Sequence, residues 1–551
     1  MPRTTPDPPP PRVFVALSGG GAKGVIHVGA VKALEEAGVV FLGLSGTSAG
    51  AIVATLKASG FRADDLADPT SGTTIFDQLG RIDPRRARAT DLFGRAGWLR
   101  VRIARALLVA VGSVGAGWLG LVFGGLAIGG IVVSADRGEP WGWVIASGWT
   151  LAIVLGVMAL RAALGGLADL GRLRATLGIL LQQRMFPGQP GRVVTMADYG
   201  VDGRPELKIV ASNLSTRRLE RFSSERTPGV AVAGAVIASI AIPFLFRLPM
   251  LGGRAYADGG LVSNLPAWGF DEERELDPDA YTIAVDVADA PQRERIGRYG
   301  WLGAAFRTAL FGSGELNLRA VGRAERITLA TDIGLLDFDL PKARYLNAAR
   351  DAEAAARARI VLGLFTVPRR FHEVCELARD IIDAAFSADP ALLAGGKRTG
   401  RVRVAVAVPD SGYTRSLRLR YGVGYENCPD ERILLPLAGS IAGWVFGARQ
   451  PRLEVSPIPP ELDLPGPENA PLRARMWTGV QWVLGIPISS FGKAETAFVV
   501  TIDGNEALSA AGREALTASV ARIGGLFERL VLEVAQLEAD DGTRGEFDRT
   551  A

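Results

Sequence analysis

Two short glycine-rich segments near the N-terminus constrain the fold of this chain more than any other feature of its sequence. The first, Gly19–Gly24, reads Gly-Gly-Gly-Ala-Lys-Gly and follows the apolar run Val13–Leu17. The second, Gly46–Gly50, reads Gly-Thr-Ser-Ala-Gly and also follows a short apolar run. A helix-like stretch comes after each segment, and glycines let the backbone bend tightly at such a turn. The sequence therefore predicts two strand-turn-helix units of an α/β fold.

The serine of the second segment lies in a Gly-x-Ser-x-Gly pattern. Such a serine sits on a strained turn, where small neighbours leave its hydroxyl exposed. Ser48 is therefore the predicted nucleophile of an acyl hydrolase. Glycines of the first segment can turn successive backbone N–H groups toward one point, as an oxyanion needs. We predict an oxyanion hole at Gly19, Gly20 and Gly21, with the amides of Gly20 and Gly21 as donors.

The first segment has a second interpretation, which is nucleotide binding. Gly19, Gly21 and Gly24 satisfy the G-x-G-x-x-G pattern, but a dinucleotide site also needs an acidic residue about 20 positions further on. The next apolar run, Phe41–Ser45, ends without a carboxylate, and no Gly-Lys-Ser/Thr follows the loop. Nucleotide binding and a purely structural turn stay the alternatives for this loop.

A third motif, Asp258–Gly260, reads Asp-Gly-Gly and is followed by Asn264–Pro266. Together with the glycine loop and Ser48, it resembles the patatin-like phospholipase family, which carries these three motifs in this order. The resemblance extends through Lys23–Ala30 and Ala238–Pro243, and it covers residues 11–390 with one large interruption. It implies a three-layer α/β hydrolase domain.

The same resemblance implies a catalytic dyad of Ser48 and Asp258 and a two-step hydrolysis of phospholipids, lysophospholipids or other acyl esters. Asp258 acts as the general base, and water releases the fatty acid from the acylated serine. No metal or organic cofactor is expected. Cys375 and Cys428 have neither ligand spacing nor a paired partner, and two cysteines suit a reducing compartment.

The sequence contains only two histidines, which bears on whether Asp258 acts without one. His27 lies just past the glycine loop on a helix predicted over Val25–Ala37, where packing is its expected role. His372 follows Asp258 in the chain, so a serine, aspartate and histidine triad in that order stays open. The apolar residues around His372 have the spacing of an ordinary amphipathic helix, which favours the dyad.

Two long uncharged segments lie between the serine and the aspartate. Residues 106–135 and 140–160 contain no Asp, Glu, Lys or Arg. About 20 helical residues cross the hydrocarbon core of a bilayer. We therefore predict a two-helix transmembrane hairpin over residues 106–160, with Trp141 and Trp143 at a membrane interface. A buried pair of apolar helices is the alternative.

The order of the motifs and the flanking charges predict the topology of this hairpin. Ser48 and Asp258 must meet, so the number of membrane crossings between them must be even. Arginines flank the hairpin, whereas its loop holds only Arg137; they are Arg85, Arg86, Arg88, Arg95, Arg100, Arg102 and Arg105 before it and Arg161, Arg172 and Arg174 after it. By the positive-inside rule, we expect a two-pass membrane protein with cytoplasmic catalytic and C-terminal domains.

The pattern changes to strands after Arg401. Strands are predicted over Val402–Val408, Ser416–Gly422 and Thr496–Ile502, followed by a helix over Ser509–Leu537. The segment Gly439–Val445 resembles the central helix of GAF-like domains, which implies an α+β domain. Such domains bind small ligands or dimerise, and the candidates to line a ligand pocket, beside a plain core role, are Trp444, Trp477 and Trp482.

The predicted divisions of the chain are five. They are a disordered proline-rich leader (1–12), the hydrolase domain (13–395), the hairpin inserted in it (106–160), the GAF-like domain (401–540) and a disordered tail (541–551).

The charge balance bears on the partners of the chain. A net charge of +4, from 62 basic and 58 acidic residues, gives no indication of nucleic-acid binding. The expected partners are membrane phospholipids or other acyl esters, and a homodimer and an unknown small ligand of the C-terminal domain stay open. The alternative functions are a ligand-sensing signalling or scaffold protein with an inactive hydrolase domain, and a serine peptidase.

Overall fold

The structure is a computed structural model, and its described residues are 10–86, 88–94, 97–103, 165–277, 280–290, 324–410, 415–426, 428–431, 433–490 and 495–540, with 305, 308 and 312. Contacts divide the chain into two compact units, and the chain passes from the first to the second between Arg357 and Ala358. The predicted hairpin, residues 106–160, lies outside the described residues, as do most of the leader and the tail. The predicted boundaries of the domains stay predictions.

Within the described part of the chain, no helix combines the length and the apolarity needed to span a bilayer.

The first unit contains ten strands in its described residues, and its helices include the eight named below. The strands are β1 (Arg12–Leu17), β2 (Val40–Thr47), β3 (Ala67–Asp68), β4 (Thr73–Thr74), β5 (Glu206–Asn213), β6 (Arg218–Phe222), β7 (Met250–Leu251), β8 (Arg254–Ala257), β9 (Tyr281–Asp289) and β10 (Ala324–Thr331). The helices are α1 (Gly24–Glu36), α2 (Ala49–Ala58), α3 (Ala63–Leu66), α4 (Ile75–Ile82), α5 (Gly171–Met185), α6 (Val232–Ile240), α7 (Asp271–Leu276) and α8 (Lys342–Ile360), the last of which reaches the second unit.

A mostly parallel sheet forms the centre of the first unit. Strands β10, β9, β1, β2 and β5 lie side by side in this order, and each neighbouring pair is parallel. The central strand β1 is buried at every position after Arg12, as expected for a parallel strand with helices on its faces. The α/β class predicted from the two glycine turns is confirmed.

Two strands meet end to end along one edge of β5. Parallel strand β2 pairs with the first part of β5 and ends where Thr47 faces Val210. Antiparallel strand β8 pairs with the last part of β5 and ends where Ala257 faces Ser212. The carboxyl ends of β2 and β8 therefore point toward each other across a single residue of β5, Ala211.

The second unit contains a six-stranded antiparallel sheet in its described residues, in the order β13, β12, β11, β16, β15, β14. The strands are β11 (Val402–Pro409), β12 (Ser416–Val423), β13 (Leu434–Pro436), β14 (Arg452–Val455), β15 (Trp482–Ser489) and β16 (Thr496–Gly504). The helices are α9 (Val367–Ala388), α10 (Ile441–Ala448), α11 (Ala470–Arg473) and α12 (Ala510–Asp540).

The two faces of this sheet follow from the alternation of side chains along a strand. Val402, Val404 and Val406 of β11 face the core formed with α9 and α12. Ala405 and Ala407 lie on the opposite face, in the core that contains α10. The predicted strands and C-terminal helix of this α+β region are confirmed, with small differences at their ends.

The three tryptophans considered for a ligand pocket have different surroundings. Trp482 is fully buried and packs edge-on against Phe386, at 6.2 Å between ring centroids. Trp477 lies over the guanidinium of Arg403, which is buried and bonded to two aspartates, Asp430 and Asp503. Trp444 lies over another guanidinium, that of Arg452. Each therefore packs within the unit, and a ligand of this unit stays a prediction.

Candidate active site

Ser48 lies on a strained turn between β2 and α2. Its backbone has φ 52° and ψ −122°, in the positive-φ region that residues other than glycine rarely adopt. Close packing requires the neighbouring glycines, because a Cβ on Gly46 would lie 2.5 Å from the Gly50 carbonyl group. A Cβ on Gly50 would lie 2.3 Å from the Leu17 carbonyl oxygen. The turn thus has the features of a nucleophile elbow.

One buried hydroxyl fixes the backbone of this turn. Ser239 lies in α6 and is completely buried. Its Oγ accepts a hydrogen bond from the Ser48 N–H at 2.9 Å and donates one to the Val210 carbonyl of β5 at 2.6 Å. Sequence reasoning gave Ser239 no role, and the only available signal was its place in the segment Ala238–Pro243 of the family resemblance.

Asp258 follows β8 and is almost completely buried. Its Oδ1 accepts the Gly260 N–H at 2.8 Å, and its main-chain carbonyl accepts the Ser212 hydroxyl at 2.8 Å. Burial raises the pKa of Asp258 from 3.8 to about 6, against opposing effects of the Gly260 N–H and the Ser48 hydroxyl. Such a carboxylate is mostly ionised at neutral pH and is a stronger base than an ordinary aspartate.

The second carboxylate oxygen of Asp258, Oδ2, is the one available to accept a proton. Asp258 Oδ2 is buried and has no hydrogen-bond partner among the described residues. The Ser48 hydroxyl is nevertheless close enough to lower the pKa of the Asp258 carboxyl. In ligand-free sites such bonds are often long or misaligned, and they shorten when substrate binds. The structure therefore brings the two predicted dyad residues together at the adjoining ends of β2 and β8.

The glycine loop passes directly beside the serine. A Cβ on Gly19 would lie 3.3 Å from the Ser48 Cβ and 2.5 Å from Asn264 Oδ1. The Gly19 N–H donates to the Asn264 carbonyl at 3.0 Å, so this amide positions the loop. Within the described residues, the N–H groups of Gly20 and Gly21 make no hydrogen bond. The oxyanion hole at Gly19, Gly20 and Gly21 stays a prediction. Of these three residues, Gly20 and Gly21 have the N–H groups that are available to bind an oxyanion.

The two histidines have different environments. His27 is completely buried, its Nε2 lies 2.7 Å from the Ser18 carbonyl oxygen, and burial lowers its pKa to about 4. His372 lies on α9 in the second unit, with a half-exposed side chain whose Nε2 is 3.9 Å from Glu376 Oε1. The described contacts therefore give His27 a packing role and place His372 on an ordinary amphipathic helix.

Three carboxylates of the described residues lie close enough together to hold a cation. Oxygens of Glu206, Glu225 and Glu273 are within 4.8 Å of one another. The buried ammonium of Lys208 bonds to Glu273 and lies 3.5 Å from Glu225 and 3.6 Å from Glu206. Lys208 thus supplies the positive charge, and the cluster has the composition of a structural ion-pair network.

An apolar cavity of about 740 Å³ lies in the first unit, and its wall includes residues that are next to the catalytic motifs in the chain. Gly21 of the glycine loop and Ala49, which follows the serine, contribute to its wall. Its other walls come from α1, α2, α4 and α5, from residues 88–93 and 98–102 and from residues 337–345. Sequence reasoning did not find this cavity, because its wall combines residues that are far apart in the chain.

Residues 15–271 match the model of the patatin-like phospholipase family. This range contains the glycine loop, Ser48 and Asp258, and it confirms the resemblance that the three motifs predicted. The chain is also 26% identical over 300 residues to the uncharacterized protein YqhO of Bacillus subtilis, which covers 53% of this chain and 78% of that protein.

Two solved structures are among those with similarity to the chain. VipD from Legionella pneumophila is 19% identical, with a TM-score of 0.28, and the similarity covers 63% of this chain and 67% of VipD. A GAF domain/HD domain protein from Geobacter sulfurreducens is 15% identical, with a TM-score of 0.21, over 32% of this chain and 97% of that chain.

Proposed function

Because the chain is an enzyme with a patatin-like phospholipase domain at residues 15–271, we propose that it is a membrane-anchored serine lipid acyl hydrolase with a dyad of Ser48 and Asp258. The observation that carries this proposal is the position of the strained serine beside a buried carboxylate. The pKa of Asp258, about 6, and its unpartnered Oδ2 suit a general base at neutral pH.

The proposed mechanism has two steps. Ser48 Oγ attacks the ester carbonyl carbon while Asp258 Oδ2 takes its proton, and the N–H groups of Gly20 and Gly21 bind the oxyanion. The ester C–O bond then breaks, and Asp258 returns the proton to the leaving alcohol. Water attacks the acyl-serine and gives a proton to Asp258. The bond between Ser48 Oγ and the acyl carbon then breaks, Asp258 returns its proton to Ser48 Oγ, and the fatty acid leaves.

The proposed anchor is the hairpin over residues 106–160, with both domains on the cytoplasmic side. Its support is the pair of uncharged segments and the arginines on their flanks. Leu99 and Ile103, shortly before the proposed hairpin, are 55% and 51% exposed. Exposed apolar side chains at this place suit contact with lipid.

The catalytic proposal is tested with matched variants in the full chain. Ser48→Ala and Asp258→Asn are expected to abolish ester hydrolysis, because each removes one member of the catalytic unit. The controls, Ser71→Ala and Asp202→Asn, change exposed residues of the same unit and are expected to keep full activity. Lipid profiles of cells that express each variant identify the substrate.

Four outcomes would count against this proposal. Activity that survives in either catalytic variant would remove the dyad, and an equal loss in a folded His372→Ala variant would support a triad. Failure of a fluorophosphonate probe to label Ser48 would favour the scaffold interpretation. Labelling with peptide hydrolysis and no change in cellular lipids would favour a serine peptidase.

The membrane proposal is tested by cysteine labelling in intact cells. A Gly138→Cys variant is expected to react with an impermeant maleimide from outside, whereas Cys428 reacts only after the membrane is opened. Asp202→Cys, on the exposed surface of the first unit, is the control and is expected to behave like Cys428. Recovery of the chain in a salt-washed soluble fraction without detergent would refute the anchor.

A regulatory role of the C-terminal domain is the last part of the proposal. Its support is the separate hydrophobic core of the second unit, in which Val445 is completely buried. Val445→Asp is expected to disrupt this core. If the domain regulates the enzyme, hydrolysis per labelled Ser48 changes in this variant. Equal specific activity in variant and wild type would show that the domain does not regulate catalysis.

A further inference from the structure

The apolar cavity of the first unit has wall residues from the glycine loop and from the residue after the nucleophile. Gly21 and Ala49 contribute to its wall, and Ala49 is the residue that follows Ser48. Its volume, about 740 Å³, lies within the range of roughly 300–1,000 Å³ that is usual for ligand sites. A group bound in this cavity would therefore lie close to the glycine loop and to the start of α2.

The shape and chemistry of the wall suit an alkyl chain. One side of α2 lines the cavity from Ala49 to Leu56, a distance of about 10 Å at 1.5 Å per residue. Phe76 and Phe93 line it elsewhere. Six charged residues also contribute to the wall, and two of them, Asp77 and Lys342, pair with each other at 2.8 Å. The lining has many apolar side chains, and a long apolar ligand would be desolvated in it.

The wall also includes the segments on both sides of the predicted hairpin. Trp98 and Arg102 come from residues 97–103, just before it, and Leu173 and Leu177 come from α5, just after it. These four residues are close in sequence to the segment that we propose crosses the bilayer. Leu177 is almost completely buried and faces the cavity, so its size affects the room available.

We propose that this cavity holds the acyl chain of the ester during hydrolysis, and that Leu177 of α5 limits the length of the chain accepted. This inference rests on the proposed function and adds to it the part of the molecule that selects among fatty acyl groups. The selection is steric, because a longer chain needs more of the apolar volume between α2 and α5.

The test is a series of p-nitrophenyl esters from butyrate to palmitate, with kcat/KM measured for each. Leu177→Trp is expected to lower the ratio of palmitate to butyrate turnover by about tenfold, since a difference of one decade is a modest steric effect in binding. Leu177→Ala is expected to raise this ratio. The control is Ile179→Trp on the same helix, at a position 40% exposed and outside the cavity wall, with the wild-type ratio expected.

The outcomes separate this inference from the proposed function. If Leu177→Trp keeps the wild-type ratio, or if Ile179→Trp changes it equally, the cavity is not the acyl site. If Leu177→Trp fails to fold, as judged by loss of fluorophosphonate labelling at Ser48, an unchanged ratio in Leu177→Ala refutes the inference. If the wild type hydrolyses no ester of any length and Ser48 is not labelled, the proposed function itself fails.

Discussion

Asp258→Asn is expected to stabilise the first unit at neutral pH while it abolishes hydrolysis. The wild-type carboxylate is buried, and its Oδ2 has no hydrogen-bond partner among the described residues. An asparagine keeps the acceptor for the Gly260 N–H but carries no charge. The variant therefore avoids the cost of burying an ion, which the wild-type enzyme accepts for its function.

The magnitude follows from the pKa of Asp258. Burial raises it from 3.8 to about 6, and this difference of roughly two units corresponds to about 3 kcal/mol. Below pH 3.8, folded and unfolded chains are both protonated at Asp258 and no difference is expected. As pH rises toward 6, the unfolded chain loses this proton first, so the wild type loses stability relative to the variant. Above pH 6 the full difference is present.

The assay is thermal unfolding of both proteins in the same detergent between pH 4 and pH 8. A difference of about 3 kcal/mol raises the Tm of a domain of this size by on the order of 5 °C. His27 also titrates in this range, since burial lowers its pKa from 6.5 to about 4 and acid therefore destabilises the fold. That effect is common to both proteins and cancels in the difference between their Tm values.

Two results would refute this reasoning. One is a variant that is equally or less stable than the wild type at pH 7.5. The other is a difference in Tm that does not grow between pH 4 and pH 6. Asp202→Asn, at a residue whose side chain is 83% exposed, is the control and is expected to leave the Tm unchanged.

Three further predictions concern the same turn and its base. Wild-type kcat/KM is expected to rise with pH and level off with a midpoint near the pKa of Asp258, about 6, because hydrolysis needs the ionised carboxylate; a flat pH profile would contradict this. Ser239→Ala is expected to lower kcat by about tenfold with little change in KM, because the Ser48 amide loses its acceptor; Ser239→Thr is the rescue variant, and equal kcat in all three proteins would contradict the role. Gly50→Ala is expected to prevent folding of the first unit, because its Cβ would lie 2.3 Å from the Leu17 carbonyl oxygen; a folded variant with normal Tm would refute this.

The local parts of the site were predictable because each has a sequence signature that geometry requires. The glycines around Ser48 permit contacts that a Cβ would block, and Gly259 likewise approaches the Val210 carbonyl, 2.2 Å from where its Cβ would be. Helix α1 was also predicted within one residue at each end. Such features depend on a few neighbouring residues, so one sequence contains them.

Contacts between residues that are far apart in the chain were not predictable, because no short stretch of sequence contains both partners. The hydroxyl of Ser239 acts on Ser48 across 191 positions of the sequence, and neither residue type nor spacing indicates that contact. The pattern at α9 predicted a helix with one buried face, but periodicity does not tell which surface covers that face. The structure packs Phe371 and Cys375 of α9 against the second sheet.

The arrangement of β2 and β8 along β5 has a consequence for how such enzymes can vary. The serine and the aspartate are each aligned by pairing with the same strand, and neither depends on the chain that joins them. Closing a longer connection adds only about 0.6 kcal/mol per doubling of its length. Within the connection between β2 and β5, the part that holds the proposed anchor, residues 106–160, is therefore a place where one segment could be exchanged for another with the pairing of β2 and β8 to β5 unchanged. The proposed anchor and the chemistry can thus diverge independently in this architecture.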